Sequence, residues 1–223
     1  MTVSELYTLF LELMDDAEGV DEEDNLFLFD PFFLREINRA QELAAQAGKL
    51  IWDQDTSSAC KIELEDGVRS YSLSPKILQL EQVWYGDVAL KKTRRQDIDG
   101  ALPTDEGAPT EFWVRNRTIY FNPIPGSAED GEEITLGVYR LPLDTLTAND
   151  EPEIDAQYHE SLLEWVKYRA LIRADEDTET KQDALAALAN FERIFGKAVP
   201  ADVMRHQLEE PRMLRMGPGA IYN

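Results

Sequence analysis

The apolar residues of this 223-residue chain change their period twice, and that change limits the fold more than any motif does. Up to about residue 50 they recur every three or four positions, from about 59 to 142 every second position, and after 150 every three or four again. A period near 3.6 buries one stripe of a helix and a period of two buries one face of a strand, so neither pattern can serve the other structure. The chain therefore reads as α+β: a helical bundle built from N- and C-terminal helices, with a central antiparallel β-sheet domain between them in sequence.

The local signals fit this outline. Val3, Leu6, Leu9, Phe10, Leu13 and Met14 lie at helical spacing, and Thr2 with Glu5 offers a capping box. The acidic run 15–24 has no period and reads as a solvated loop. Asp30 as N-cap and Pro31 at the first helical position open a second helix through Phe33, Leu34, Ile37, Ala40, Ala44 and Ala47, which Gly48 can end. The strand candidates are CKIELE, SYSLSP, ILQLEQVWYGD, VALKK, EFWVRN, RTIYFNP and EITLGVYRLP. Asn116-Arg117 suits a tight hairpin, and residues 122–133 read as a mobile polar loop. Two C-terminal helices follow, one with Tyr158, Leu162, Trp165, Val166, Arg169 and Ile172 on its apolar face, the other with Ala184, Leu185, Leu188, Phe191, Ile194 and Phe195. The expected divisions are 1–54 for the N-terminal helices, 55–149 for the β domain, 150–196 for a helix pair packing on the N-terminal helices, and 197–223 for an extended arm broken by Pro and Gly.

Charge narrows the function. The formal net charge is −22 and the sequence pI about 4.4. Duplex binding depends on Lys and Arg displacing phosphate counterions, so an ordinary nucleic-acid binder is excluded. The first thirty residues hold ten acids and no Lys or Arg, whereas residues 196–223 hold four bases against three acids, which sets the arm apart from the rest of the surface. One cysteine, Cys60, cannot close an intrachain disulfide and reads as a small apolar residue in a reducing compartment. The first sixteen residues have no basic stretch and are broken by Glu5, Glu12, Asp15 and Asp16, so they read as neither signal peptide nor membrane span.

Chemistry-bearing patterns are incomplete. His159-Glu160 begins a zinc-protease pattern but Leu163 stands where the second histidine is needed, and His206 is the other histidine of the chain. No Gly-x-Ser-x-Gly elbow or phosphate loop occurs. Asp21 to Asp24 lacks the alternating ligands and glycine of a calcium loop. Asn116-Arg117-Thr118 matches a glycosylation sequon but reads as a hairpin, and Trp84, Tyr85, Trp113, Tyr120, Phe121 and Tyr139 read as the buried side of a sheet rather than a stacking platform. No catalytic residue, metal or cofactor is assigned, and the chain is not read as an enzyme.

The strings FFLREINRAQELAAQA (32–47), IYFNPIPG (119–126) leading into ITLGVYRLP (134–142), YHESLLEWVKYRAL (158–171) and ALANFERIFG (187–196) stand in an order and spacing that resemble the head-to-tail adaptor (head-tail connector) proteins of tailed bacteriophages. The resemblance covers roughly residues 30–196; the acidic first 25 residues and the helix at Val3 to Met14 lie outside it. It implies a structural virion protein of the neck, made in the host cytoplasm. Copies would form a ring, usually of twelve, beneath the portal protein, joining capsid to tail and forming part of the DNA conduit during ejection. The expected partners are the portal ring, further copies of the chain and tail nozzle, tube or fibre proteins. Double-stranded DNA would pass through the lumen without specific binding, and no membrane is involved. By that resemblance the arm would bind the portal, with Val203, Arg205, Leu208, Arg212, Met213, Leu214, Arg215, Met216, Ile221 and Tyr222 as anchors, and Ile37, Ala44, Leu162, Trp165, Leu188 and Phe191 would make the helical body and ring packing. Two alternatives remain from composition alone: an acidic binding module that mimics DNA charge toward a basic partner, and a cell-wall hydrolase using a carboxylate pair.

Overall fold

The computed structural model describes residues 1–14, 31–93, 104–174, 178–200, 203–204 and 208–209. In chain order the elements are α1 (Val3–Leu13), α2 (Pro31–Gly48), β1 (Trp52–Asp53), the single turn α3 (Ser57–Cys60), β2 (Lys61–Glu63), β3 (Ser70–Ser72), β4 (Ile77–Tyr85), β5 (Val88–Ala89), β6 (Lys91–Lys92), β7 (Glu111–Arg115), β8 (Thr118–Asn122), β9 (Glu133–Arg140), two 3-10 turns (Ala156–Tyr158 and Glu160–Leu162), α4 (Leu163–Ala174) and α5 (Thr178–Phe195). Residues 1–53 and 139–200 form a helical unit, and residues 54–138 with 201–223 form a β unit. The helical unit thus includes residues 139–149, which the apolar period groups with the strands; Leu146 is buried in the helical core. The acidic loop 15–24 and the N-cap at Asp30 fall outside the described residues.

In the helical unit the capping box forms as expected: the Glu5 amide donates to Thr2 Oγ1 at 3.3 Å and the Thr2 amide to Glu5 Oε2 at 2.8 Å. It starts α1, whose Val3, Leu6, Tyr7 and Phe10 are buried. Phe33 of α2 meets Tyr7 edge-on at 5.0 Å and Phe10 at 5.5 Å. Each such buried side chain contributes roughly 1.5–3 kcal/mol. Farther along α2, the small residues Ala40, Ala44 and Ala45 are fully buried in the same core as Leu162, Leu163, Val166 and Phe191. α2 does not end on a left-handed glycine. Gly48 stays helical and Lys49 takes φ 51°; a Cβ on Gly48 would lie 2.9 Å from Leu50 Cδ2, so the position is close to full without a side chain. Two apolar faces also differ from their periodicity: Ile172 and Leu185 are 50% and 61% exposed, and Ala187 takes the inward place on α5. α5 starts at Thr178, six residues before Ala184 opens its apolar stripe.

The irregular segment between β9 and the 3-10 turns is held by side chains. Asn38 of α2 donates to Leu146 O at 3.2 Å and accepts from the Leu146 amide at 2.8 Å, and Gln41 accepts from the Glu153 amide at 2.6 Å. Arg140, at the end of β9 and 8% exposed, donates to Asp53 and Glu153 at 2.5 Å each. Burial alone lowers the pKa of this guanidinium, and the hydrogen bonds and charges of Glu153 and Asp53 overcome that and hold it above its ordinary value.

In the β unit the expected single antiparallel sheet is two sheets. One runs β9-β4-β5 with β2 also on β9, and the other runs β3-β8-β7-β6. The segment VALKK supplies both: Val88 and Ala89 pair with β4, then Leu90 turns inward, and Lys91 and Lys92 pair with β7. The β6–β7 pairing is parallel, and the 18 residues between Lys92 and Glu111 are enough for the longer connection that a parallel pair needs. Asn116 and Arg117, with φ 49° and 60°, make the two-residue β7–β8 hairpin as read. Arg117 then donates to Ser74 O at 2.6 Å and Ile77 O at 2.9 Å. The loop 122–133 is not loose: Gly131 donates to Leu64 O at 2.8 Å, Gly67 to Pro125 O at 2.9 Å, and the Glu129 carboxylate accepts from the Gly126 amide at 3.0 Å.

Two substitutions test these ties. Asp53→Ala leaves Arg140 buried with one carboxylate fewer and should lower stability by roughly 3–5 kcal/mol in urea unfolding followed by circular dichroism. Arg117→Ala should cost about 1.5–3 kcal/mol, and Arg117→Gly less, because glycine relieves the positive φ that alanine keeps; equal losses would mean that the backbone is not under strain there.

Candidate interaction surface

Of the positions weighed for chemistry, Asp21 to Asp24 and His206 lie outside the described residues, while His159 and Cys60 are placed in the interior. His159 is 1% exposed, with Nε2 2.9 Å from Ile154 O and Nδ1 3.1 Å from the Met1 amine, so neither ring nitrogen is free for a metal. Cys60 is buried. The carboxylates of Glu36, Asp53 and Glu129 are buried and engaged: Glu36 meets Arg35 at 2.8 Å, Arg169 at 3.3 Å and the Trp165 indole at 3.3 Å. Among the described residues no group of three His, Cys, Asp or Glu is placed to hold a metal, and no helix is long and apolar enough to cross a membrane.

The aromatic set divides. Trp113 and Phe121 are buried, and Trp113 stacks on Tyr120 across β7–β8 at 5.2 Å and 3°. Trp84 and Tyr85 are half-buried beside the exposed β4–β5 turn, and Tyr139 packs edge-on against Trp52 in the helical unit at 5.3 Å. Together they form the sides of sheets and not one stacking surface.

What remains is outward-facing surface. The six residues assigned to helical body and ring packing separate by burial: Ile37, Ala44, Leu162 and Phe191 lie in the unit's own core. Trp165 and Leu188 are half-buried and line a small recess with Leu43, Ala47 and Gly196. The outward apolar side chains of the same helices are Ile172 and Leu185. On α2 an open groove of about 500 Å³ is lined by Pro31, Leu34, Arg35, Asn38, Arg39, Glu42 and Thr145. Its arginines are paired, Arg35 with Glu36 and Arg39 with Glu42 at 3.1 Å.

Of the arm residues, Arg205, Arg212, Met213, Leu214, Arg215, Met216, Ile221 and Tyr222 lie outside the described residues. Val203 is 40% exposed, while Leu208 is 3% exposed and held in the β unit. Lys92 Nζ donates to Leu208 O at 2.9 Å, and the Asn116 amide donates to Glu209 Oε1 at 3.1 Å. Sequence reasoning missed Lys92, Asn116 and Glu209 as a group, since no periodicity relates residues so far apart.

The comparison with known families supplies what the geometry does not: the profile of SU10 adaptor protein matches residues 1–218. The chain belongs to the SU10 adaptor protein family. This is a phage head-tail adaptor family, and the role it supports is structural. The match takes in α1 and the acidic first thirty residues, which the string resemblance left out. None of the curated proteins compared with the chain matches it.

The division between core and surface in this SU10 adaptor is measurable. Phe191→Ala should destabilise the helical unit by about 3–5 kcal/mol. Leu185→Lys should change unfolding by no more than about 0.5 kcal/mol. A large loss in the second variant would show that Leu185 is covered in the free protein.

Proposed function

We propose that this SU10 adaptor forms a ring of copies, twelve by the habit of head-tail adaptors, beneath the portal of the capsid, with tail nozzle, tube or fibre proteins on its other side. The observation that carries the reading is the family match along nearly the whole chain. Its place would be the neck of the virion, and no reaction is assigned to it.

Two physical features support the ring. The net charge of −22 gives a closed ring a negative lumen, which denies DNA the phosphate contacts that would hold it in transit. A ring also needs two different surfaces that meet between successive copies. The core residues are excluded from that task, so the contacts fall to outward residues of the helical unit, with Ile172 and Leu185 the apolar candidates. The arm, richer in Arg and apolar residues than in acids, has the composition of an interface anchor for the portal.

The test is electron microscopy of the protein mixed with portal from the same phage, beside a variant ending at Gly196. A ring stacked on the portal with the full chain, and none with the shortened chain, is the expected result. A protein that leaves the portal bare in both mixtures overturns the proposal.

A further inference from the structure

We infer that the β unit carries a built-in seat for the chain's own C-terminal segment, occupied by Leu208 and Glu209, so that the portal contact falls to the sequence beyond Glu209. The inference rests on the reading of the arm as a portal contact, and it divides that arm in two.

Three observations meet at the seat. Leu208 is 3% exposed although its neighbours in sequence are mostly polar, so an apolar side chain has found cover. Its carbonyl accepts from the Lys92 ammonium at 2.9 Å, and that ammonium belongs to β6. One residue on, the Glu209 carboxylate accepts at 3.1 Å from the Asn116 amide in the β7–β8 turn. Asn116 opens the two-residue turn that follows the last ladder pair, Arg115 with Thr118, so its amide lies outside the ladder and can serve an acceptor from outside the hairpin. One apolar anchor and two charge-assisted hydrogen bonds on different elements fix both position and direction of the segment.

The seat changes the reach of the arm. A free segment starting after Gly196 would extend at most about 95 Å, whereas one starting after Glu209 extends about 50 Å. Of the ten expected portal-binding anchors it sets aside Val203, Arg205 and Leu208 and keeps the seven beyond Glu209: Arg212, Met213, Leu214, Arg215, Met216, Ile221 and Tyr222.

The experiment uses four chains: the full one, one ending at Glu209, one ending at Gly196, and full-length Leu208→Asp. Each is followed by acetylation of Lys92, by hydrogen exchange of the Asn116 amide, and by retention on purified portal. Both rates should be roughly tenfold slower in the full and Glu209-ended chains than in the other two. Retention should need residues 210–223. Equal rates in all four chains overturn the seat, whatever the portal does. Unequal rates with the same portal behaviour in the full, Glu209-ended and Gly196-ended chains leave the seat standing and overturn the portal reading of the arm. Retention of the chain ending at Glu209, but not of the one ending at Gly196, overturns the division at Glu209.

Discussion

The guanidinium of Arg140 is the point on which the helical unit depends. It sits where β9 ends, nearly out of solvent, between Asp53 and Glu153. Burying the charges of Arg140 and Asp53 is unfavourable unless their geometry is good and the remaining polar atoms are engaged, and here they are: the exposed Glu153 pairs with Arg140 and also accepts from the Leu143 amide at 2.6 Å, and Arg140 donates to Leu141 O at 3.1 Å. Through Glu153 the cluster reaches Gln41 of α2, and Asn38 one turn earlier takes the next piece of chain. A stretch without regular structure is thereby fastened to a helix by side chains, and it can offer its backbone to α1: the Val3 and Ser4 amides donate to Asp150 O and Ala148 O at 2.9 Å. The first helix therefore packs on a segment that Arg140 has already ordered.

For an assembling protein this arrangement has a clear use. The apolar residues of α2, α4 and α5 hold the helical unit together, and their opposite faces are left outside its core. Ile37 and Phe191 illustrate the first class, Leu185 and Ile172 the second. Period alone merges the two classes, because a residue at the edge of an apolar stripe has the same spacing whether it faces inward or outward. Burial separates them.

The same limit explains what could be read from the chain and what could not. The capping box at Thr2, the hairpin at Asn116-Arg117 and the helix opened by Pro31 rest on interactions between residues a few positions apart, and sequence carries those directly. The division of VALKK between two sheets depends on Leu90 turning inward, and the parallel pairing of β6 with β7 spans the longer connection between them; neither leaves a local mark. Lys92, Asn116 and Glu209 meet only because the fold brings them together, and Asp53, Arg140 and Glu153 do so likewise. At His159 the sequence was informative in the negative: the missing second histidine of the zinc pattern left a buried imidazole bonded at both nitrogens.

The Ile51 carbonyl accepts from the Arg140 amide at 3.0 Å, so the chain departs from the helical unit and comes back to it at one spot. Everything from 54 to 138 is then a loop closed at its base, with its closure entropy met by the ion cluster beside that bond. A stretch closed at its base pays closure entropy only as the logarithm of its length, so doubling it would cost no more than about 0.6 kcal/mol.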